Sequence, residues 1–350
     1  MATGQGQPQG QAPAAKLGRM KDFFIPADAQ DWNALFKSRA DLKNMNIHNL
    51  PAEWVASASE PTNVQYLMLR SYSPTISRIN TFRKNCHQFG FTAEVLERAA
   101  ELLAASTEWQ RYLNLLDTGD SIDDIQVTSN RWPGSFSTVA RLQQQTMTVE
   151  GIHDRDRTQL TAGGTRTGRR RVLPLPDAED EASPNAAALI LLQTVSHLAH
   201  SHLEWILNRV HFVCQFNTTK FTAFTDGALR SKQTRGVFAL VEAKKRLRTM
   251  HHEAILMQEA CEVVGWVMNN STEIACFNEH FMLISQDRHE LFITFASIEE
   301  AYERHLRNGT DTDSFLVMKT YGPYDTGSCE EMNEFGQIIL GTILIVNPVA

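Results

Sequence analysis

Apolar and polar positions organise most clearly in the stretch KFTAFTDGALRSKQTRGVFALVEAKKRLR, residues 220–248. It predicts two strands, 221–229 and 237–244, joined by a polar turn at 231–236. In the second strand apolar side chains fall on both faces: Phe238 and Leu240 on one, Val237, Ala239 and Val241 on the other. A strand apolar on both sides is central and covered twice. Its end nevertheless carries Glu242 and Lys244, which share one face because strand side chains alternate. The preceding strand contains Asp226. Ionisable groups in such a place are costly unless they are paired or hold a metal.

The same pattern reading organises the rest of the chain. Residues 20–145 read as mostly helical, with Thr92 capping a helix that runs through Leu103 towards Leu116; 121–150 suit short strands. Ser183-Pro184 opens a long helix over 185–209, N-cap then proline. A strand follows at 210–216, then the hairpin, then an amphipathic helix from Thr249 to Asn269. Strands at 280–285 and 291–296 are joined by a polar turn at 286–290. A short helix (298–307), a strand (315–321) and a helix from Cys329 complete the pattern. From 185 onward the order is therefore helix, three strands, helix, two strands, with no internal repeat.

Two stretches have nothing to bury. Residues 1–19 are mostly Gly, Gln, Pro and Ala, and 151–183 hold a basic run (Arg166, Arg169, Arg170, Arg171) followed by an acidic one (Asp177, Glu179, Asp180, Glu181). Such segments stay disordered, and the Arg triplet fits a charged linker or a nuclear import signal. The expected division is a tail at 1–19, a mostly helical accessory region at 20–150, a charged loop at 151–183 and an α/β domain at 184–350. A length of 350 residues and 42% apolar content suit a chain with a sizeable core.

The net charge of −7 excludes a globally basic nucleic-acid binder. Yet between Thr218 and His252 eight Lys or Arg face only Asp226 and Glu242, a local excess that would draw a polyanion. The five cysteines are odd in number and form no CxxC, which fits a reducing compartment and argues against a zinc–cysteine site. The amino terminus lacks a signal-peptide core and 338–346 is too short to span a bilayer. The expected location is intracellular, nuclear or cytoplasmic, without a membrane partner.

If Asp226 and Glu242 lie on neighbouring strands, their carboxylates converge on one hard cation, Mg²⁺ or Mn²⁺, which prefers oxygen ligands. Lys244, on the face of Glu242, would orient or deprotonate an attacking water. Lys220, Arg230, Lys232, Arg235, Lys245, Arg246 and Arg248 would hold a nucleic-acid backbone. Other motifs carry less. His200 and Glu204 share a face of the predicted helix beside His197 and His202, but HExxH is absent and no third ligand is evident. His251 and His252 open a helix, as phosphate contacts or solvated side chains, and Trp205 and Trp266 suit core anchors. Neither GxxxxGK[ST] nor GxSxG occurs.

The order helix, three strands with Asp then Glu-x-Lys, helix, strand resembles the PD-(D/E)xK nuclease superfamily, most closely the nuclease-like domains common in fungal proteins, over roughly 185–300. The carrying residues are Asp226 and the segment FALVEAKK with Glu242 and Lys244. The resemblance implies a restriction-endonuclease-like α/β core and metal-dependent hydrolysis of DNA or RNA. It makes Asp226 and Glu242 metal ligands and Lys244 the catalytic lysine. Glu204 matches a further metal-binding acid that a helix before the sheet donates in several members. Gln258 matches a helix glutamine of some branches, although Glu262 stands where they have Tyr, and Thr225 stands where a proline often precedes the Asp. A second acid-x-Lys triplet, Asp41-Leu-Lys43, lies in a polar stretch without strand character. Two rival readings keep the same residues: a catalytically inactive module binding nucleic acid or protein, and a structural ion-pair cluster.

Overall fold

The computed structural model describes residues 20–147, 181–269 and 276–347. The tail expected at 1–19 and most of the 151–183 loop, its arginines included, lie outside the described residues. Strand β6 (Val237–Lys244) is central, as its two-sided apolar pattern predicts. It lies in a seven-stranded sheet ordered β1 (Ser71–Tyr72), β9 (Leu316–Asp325), β8 (Glu290–Ser297), β7 (His280–Asp287), β6, β5 (Gly227–Ser231), β2 (Leu203–Ile206). The β1–β9 and β6–β7 pairs are parallel and the others antiparallel. Parallel neighbours need a crossover, which helix α8 (Arg248–Asn269) supplies between β6 and β7. Along the chain this gives helix α7 (Ala182–Ser196), the antiparallel strands β2, β5 and β6, then α8 and β7. The fold is mixed α/β.

Several expectations are corrected. The helix predicted over 185–209 ends at Ser196, because Leu203-Glu204-Trp205-Ile206 alternates buried and half-buried as an edge strand does. Trp205 fixes that turn of the chain: its amide donates to Gln193 Oε1 at 2.9 Å and its indole to Ser196 Oγ at 2.9 Å. Secondly, 221–229 is two strands. β4 (Lys220–Thr225) pairs only with β3 (Val210–Gln215) in a separate ribbon, whereas β5 joins the main sheet. The chain changes sheets at Asp226-Gly227, where a side chain at 227 would put its Cβ 2.6 Å from the Ile206 carbonyl oxygen. Thirdly, 121–150 holds no strand among its described residues; two 3-10 turns, Ile122–Asp124 and Gly134–Phe136, lead into helical residues 137–147.

Residues 20–147 contribute to both faces of the sheet. The single helix expected from Thr92 towards Leu116 is two, α4 (Ala93–Ala105), capped by Thr92, and α5 (Thr107–Thr118), capped by Ser106; they join α7 and the terminal helix α10 (Cys329–Val346) around Ala239, Val241 and Ile284. On the other face Trp32, Tyr66 and Leu67 pack with α8, the ribbon, Leu240 and Leu283.

Helix α8 was expected to be amphipathic, but it is buried on all sides from Ile255 to Val267. The β3–β4 ribbon covers the side turned away from the sheet. That burial depends on Gly265, whose missing Cβ would lie 2.9 Å from Phe212 Cβ on β3. Gly265→Ala is therefore expected to destabilise the chain by about 1–3 kcal/mol in urea unfolding, the usual cost of overpacking; unchanged stability would show that the ribbon is free to lift.

Candidate active site

The register of the sheet decides which polar groups meet. Gly227 pairs with Val241, so Asp226 falls opposite Glu242, and its amide donates to the Val241 carbonyl at 3.0 Å. Across β6, Glu242 is level with Ser285 and Lys244 with Asp287. All four of these side chains share the face turned to α8, which presents Gln258, Glu259 and Glu262, each buried. The outcome is a polar seam inside an apolar core, and it divides into two groups.

In the first, Gln258 Nε2 donates to Glu242 Oε1 at 2.6 Å and to Glu262 Oε1 at 2.8 Å. Lys244 Nζ donates to the same Glu242 oxygen. Glu242 Oε2 is buried and has no hydrogen-bond partner. Asp226 Oδ2 accepts from the Ala243 amide at 3.1 Å, and Arg209, itself exposed, reaches Oδ1 at 3.3 Å. Burial pushes the Glu242 carboxyl up; Lys244 opposes and the charge of Asp226 adds, leaving it at about 7. Burial and then the charge of Glu242 hold Glu262 well above the carboxylate range. Burial alone would lower the Lys244 ammonium, but Glu242 and Glu262 outweigh it and keep it charged.

The second group is centred on Arg248, and in it Asp287 Oδ1 is likewise buried without a hydrogen-bond partner. Arg248 Nε donates to Asp287 Oδ2 at 2.6 Å, its Nη1 and Nη2 donate to Glu259, and Ser285 Oγ donates to Glu259 Oε1 at 2.5 Å. The guanidinium also lies 4.2 Å from the Phe292 ring centre. Arg248 is 2% exposed, so it is not the backbone-binding residue the sequence predicts; it is the internal counter-charge of Glu259 and Asp287.

The remaining predicted residues separate. Glu204 lies on strand β2, not on a helix, and bonds Arg230 at 2.8 Å and Arg235 at 3.2 Å. In the sheet it is level with Arg230, whose partner on β6 is Val237, at the opposite end from Glu242. It therefore does not join Asp226 and Glu242 as a ligand, and Arg230 and Arg235 are tied to it. Lys232 is at the same end and Lys220 at the far tip of the ribbon, so the basic block does not form one surface. Of the residues predicted to hold a backbone, Lys245 and Arg246 are the two that stand beside the first group. They line a cleft of about 390 Å³ together with Lys244, Gln258, His251 and Glu60. Larger cavities of about 600 and 420 Å³ lie elsewhere and contain none of these side chains. His251, where α8 departs from helical geometry, accepts from Arg246 at 2.7 Å. His200 is in a loop and shares no helix face with Glu204.

Two carboxylates from adjacent strands, one with an oxygen left over, suit a hard cation that keeps several waters. Among the described residues no group of three or more His, Cys, Asp or Glu is placed to hold a metal; Asp226 and Glu242 are the carboxylates that a hard cation such as Mg²⁺ or Mn²⁺ would use. Sequence reading missed the partnership of Glu262, Glu259 and Asp287. Its available signal was a Gln-Glu-x-x-Glu series in an otherwise apolar helix. No helix among the described residues is long and apolar enough to cross a membrane.

Neither protein-family models, nor curated proteins, nor solved structures match this chain.

The raised Glu242 value has a measurable consequence. As pH rises from the ordinary 4.5 to about 7, the unfolded chain has released this proton while the folded chain still holds it, so the Glu242 contribution falls. The stability of the metal-free wild type, taken relative to Glu242→Gln, should therefore decline across that window, by at most about 1.4 kcal/mol per pH unit. Parallel pH profiles from denaturant titrations in chelator would show instead that Glu242 is ionised throughout.

Proposed function

We propose that the chain is a metal-dependent nuclease that hydrolyses phosphodiester bonds of DNA or RNA, on a restriction-endonuclease-like core of the PD-(D/E)xK type. The order α7, β2–β5–β6, α8, β7, with β7 parallel to β6, supports this core, the β3–β4 ribbon being an insertion between its first two strands. The observation that carries the function is the meeting of Asp226, Glu242 and Lys244 beside a cleft lined by Lys245 and Arg246, with Glu242 Oε2 free.

Asp226 and Glu242 would hold Mg²⁺ or Mn²⁺. When bound, such an ion supplies charge neutralisation at the attacked phosphate and a more acidic water. Lys244 is held charged by its carboxylate neighbours, so it acts as a fixed positive group at the reacting phosphate. Lys245 and Arg246, half-buried cations lining the cleft, would hold the flanking backbone phosphates. Glu204 takes no part.

A module that binds nucleic acid without cutting it has one observation in its favour: Lys244 is engaged by Glu242, and Arg209 reaches Asp226. One assay separates the readings. Labelled single- and double-stranded DNA and RNA are incubated with the full chain in Mg²⁺, in Mn²⁺ and in chelator. Hydrolysis predicts metal-dependent cleavage that Glu242→Gln and Lys244→Met each reduce at least about a hundredfold, the scale of losing a principal electrostatic group. Salt-sensitive binding without cleavage, unchanged in Glu242→Gln, would establish the binding module instead.

A further inference from the structure

Within the proposed site, Glu262 is the group that the reaction described above does not use. It has no exposure, and its chain neighbours Cys261, Val263 and Val264 are buried apolar residues. A carboxyl in such a place is costly, and an apolar side chain of similar volume would fill it at less expense. What it contacts gives it a purpose. Gln258, one helical turn earlier, spends one nitrogen on two acids, Glu242 Oε1 at 2.6 Å and Glu262 Oε1 at 2.8 Å. A primary amide has two N–H donors on that nitrogen, so both are used. Gln258 thus cannot rotate about its side-chain bonds without breaking a bond to one acid or the other.

Glu242 Oε1 receives the amide from one side and Lys244 from another. The carboxylate is held by that oxygen, and Oε2 is the one left over. Resting on the nuclease reading, we propose that Glu262 is a positioning residue of the site: it anchors Gln258, and through Gln258 fixes Glu242 with one oxygen occupied and the other available to a divalent cation. Without the acceptor at 262, Gln258 loses one of its two restraints and Glu242 gains rotamers that turn Oε2 away. Groups that orient a ligand in this way are typically worth about 10–100-fold in metal affinity.

The test titrates Mn²⁺ into the full-length chain by calorimetry, with thermal melting of each metal-free variant in parallel. Glu262→Leu removes the acceptor and keeps the volume. It is expected to melt at or above the wild-type temperature, yet to bind Mn²⁺ about tenfold more weakly. Glu262→Gln keeps a carbonyl oxygen for Gln258 and is expected to restore most of that loss, which a merely structural role for Glu262 does not predict. Gln258→Met is expected to fall with Glu262→Leu, and it carries the comparison against Glu262→Gln should Glu262→Leu fail to fold. Wild-type affinity in both Glu262→Leu and Gln258→Met, or a Glu262→Gln no better than Glu262→Leu, overturns the positioning role. A wild type that takes up no Mn²⁺ removes the nuclease reading and this proposal together. Binding that disappears in Glu242→Gln but ignores position 262 removes the proposal alone.

Discussion

The structure depends on a contact between unlike things: a band of acids and bases on β6, β7 and α8, held inside a core that is otherwise apolar. Asp226, Glu242, Glu259, Glu262 and Asp287 are all buried, with Lys244 and Arg248 among them. Ionised carboxyls in such surroundings are expensive, and the fold tolerates them only because each finds a donor. The helix that supplies Arg248, Gln258 and two of the acids is the one that makes the β6–β7 crossover possible. Topology and chemistry therefore share one element, and α8 cannot shift without undoing both.

The two halves of that band are built to different ends. Around Arg248 a planar guanidinium answers two carboxylates, with a serine hydroxyl and an aromatic ring completing the enclosure. That arrangement is a brace between the start of α8 and the end of β7. Around Glu242 the counter-charge is a lysine and the second donor an amide; each half keeps one unpartnered carboxyl oxygen, Glu242 Oε2 and Asp287 Oδ1, but only here do the donors, Lys244 and Gln258, line a cleft. A compact ammonium neutralises without closing the site as a guanidinium fork does.

The distribution of positive charge follows from strand geometry. In the sequence the basic residues of 220–248 form one block. Strands spread them, because each residue advances the chain by about 3.3 Å and alternate side chains face opposite ways. Arg230 and Arg235 end at the Glu204 end of the sheet, Lys220 at the tip of the ribbon, Arg248 in the core, and only Lys245 and Arg246 at the cleft. A smaller electrostatic surface results, placed at the one point where Asp226, Glu242 and Lys244 meet.

By itself the sequence determined the central strand, its neighbours and most helices, because two-sided apolar runs, period-two alternation and caps such as Thr92 are local signals. It also brought forward Asp226, Glu242 and Lys244, since a costly residue at the end of a core strand is visible without coordinates. It misread 185–209 as one helix because Leu203-Glu204-Trp205-Ile206 is too short for its period to outweigh the helix before it. It joined β4 to β5 because nothing local marks Gly227 as the place where the Ile206 carbonyl comes too close for a side chain. Only the tertiary structure decided that Arg248 turns inward, that Glu204 stands apart, and that Glu262 shares a glutamine with Glu242. Those pairings join residues distant along the chain or facing one another across elements, and their partners are chosen by strand register and by the seat of α8 on the sheet, neither of which any single segment encodes.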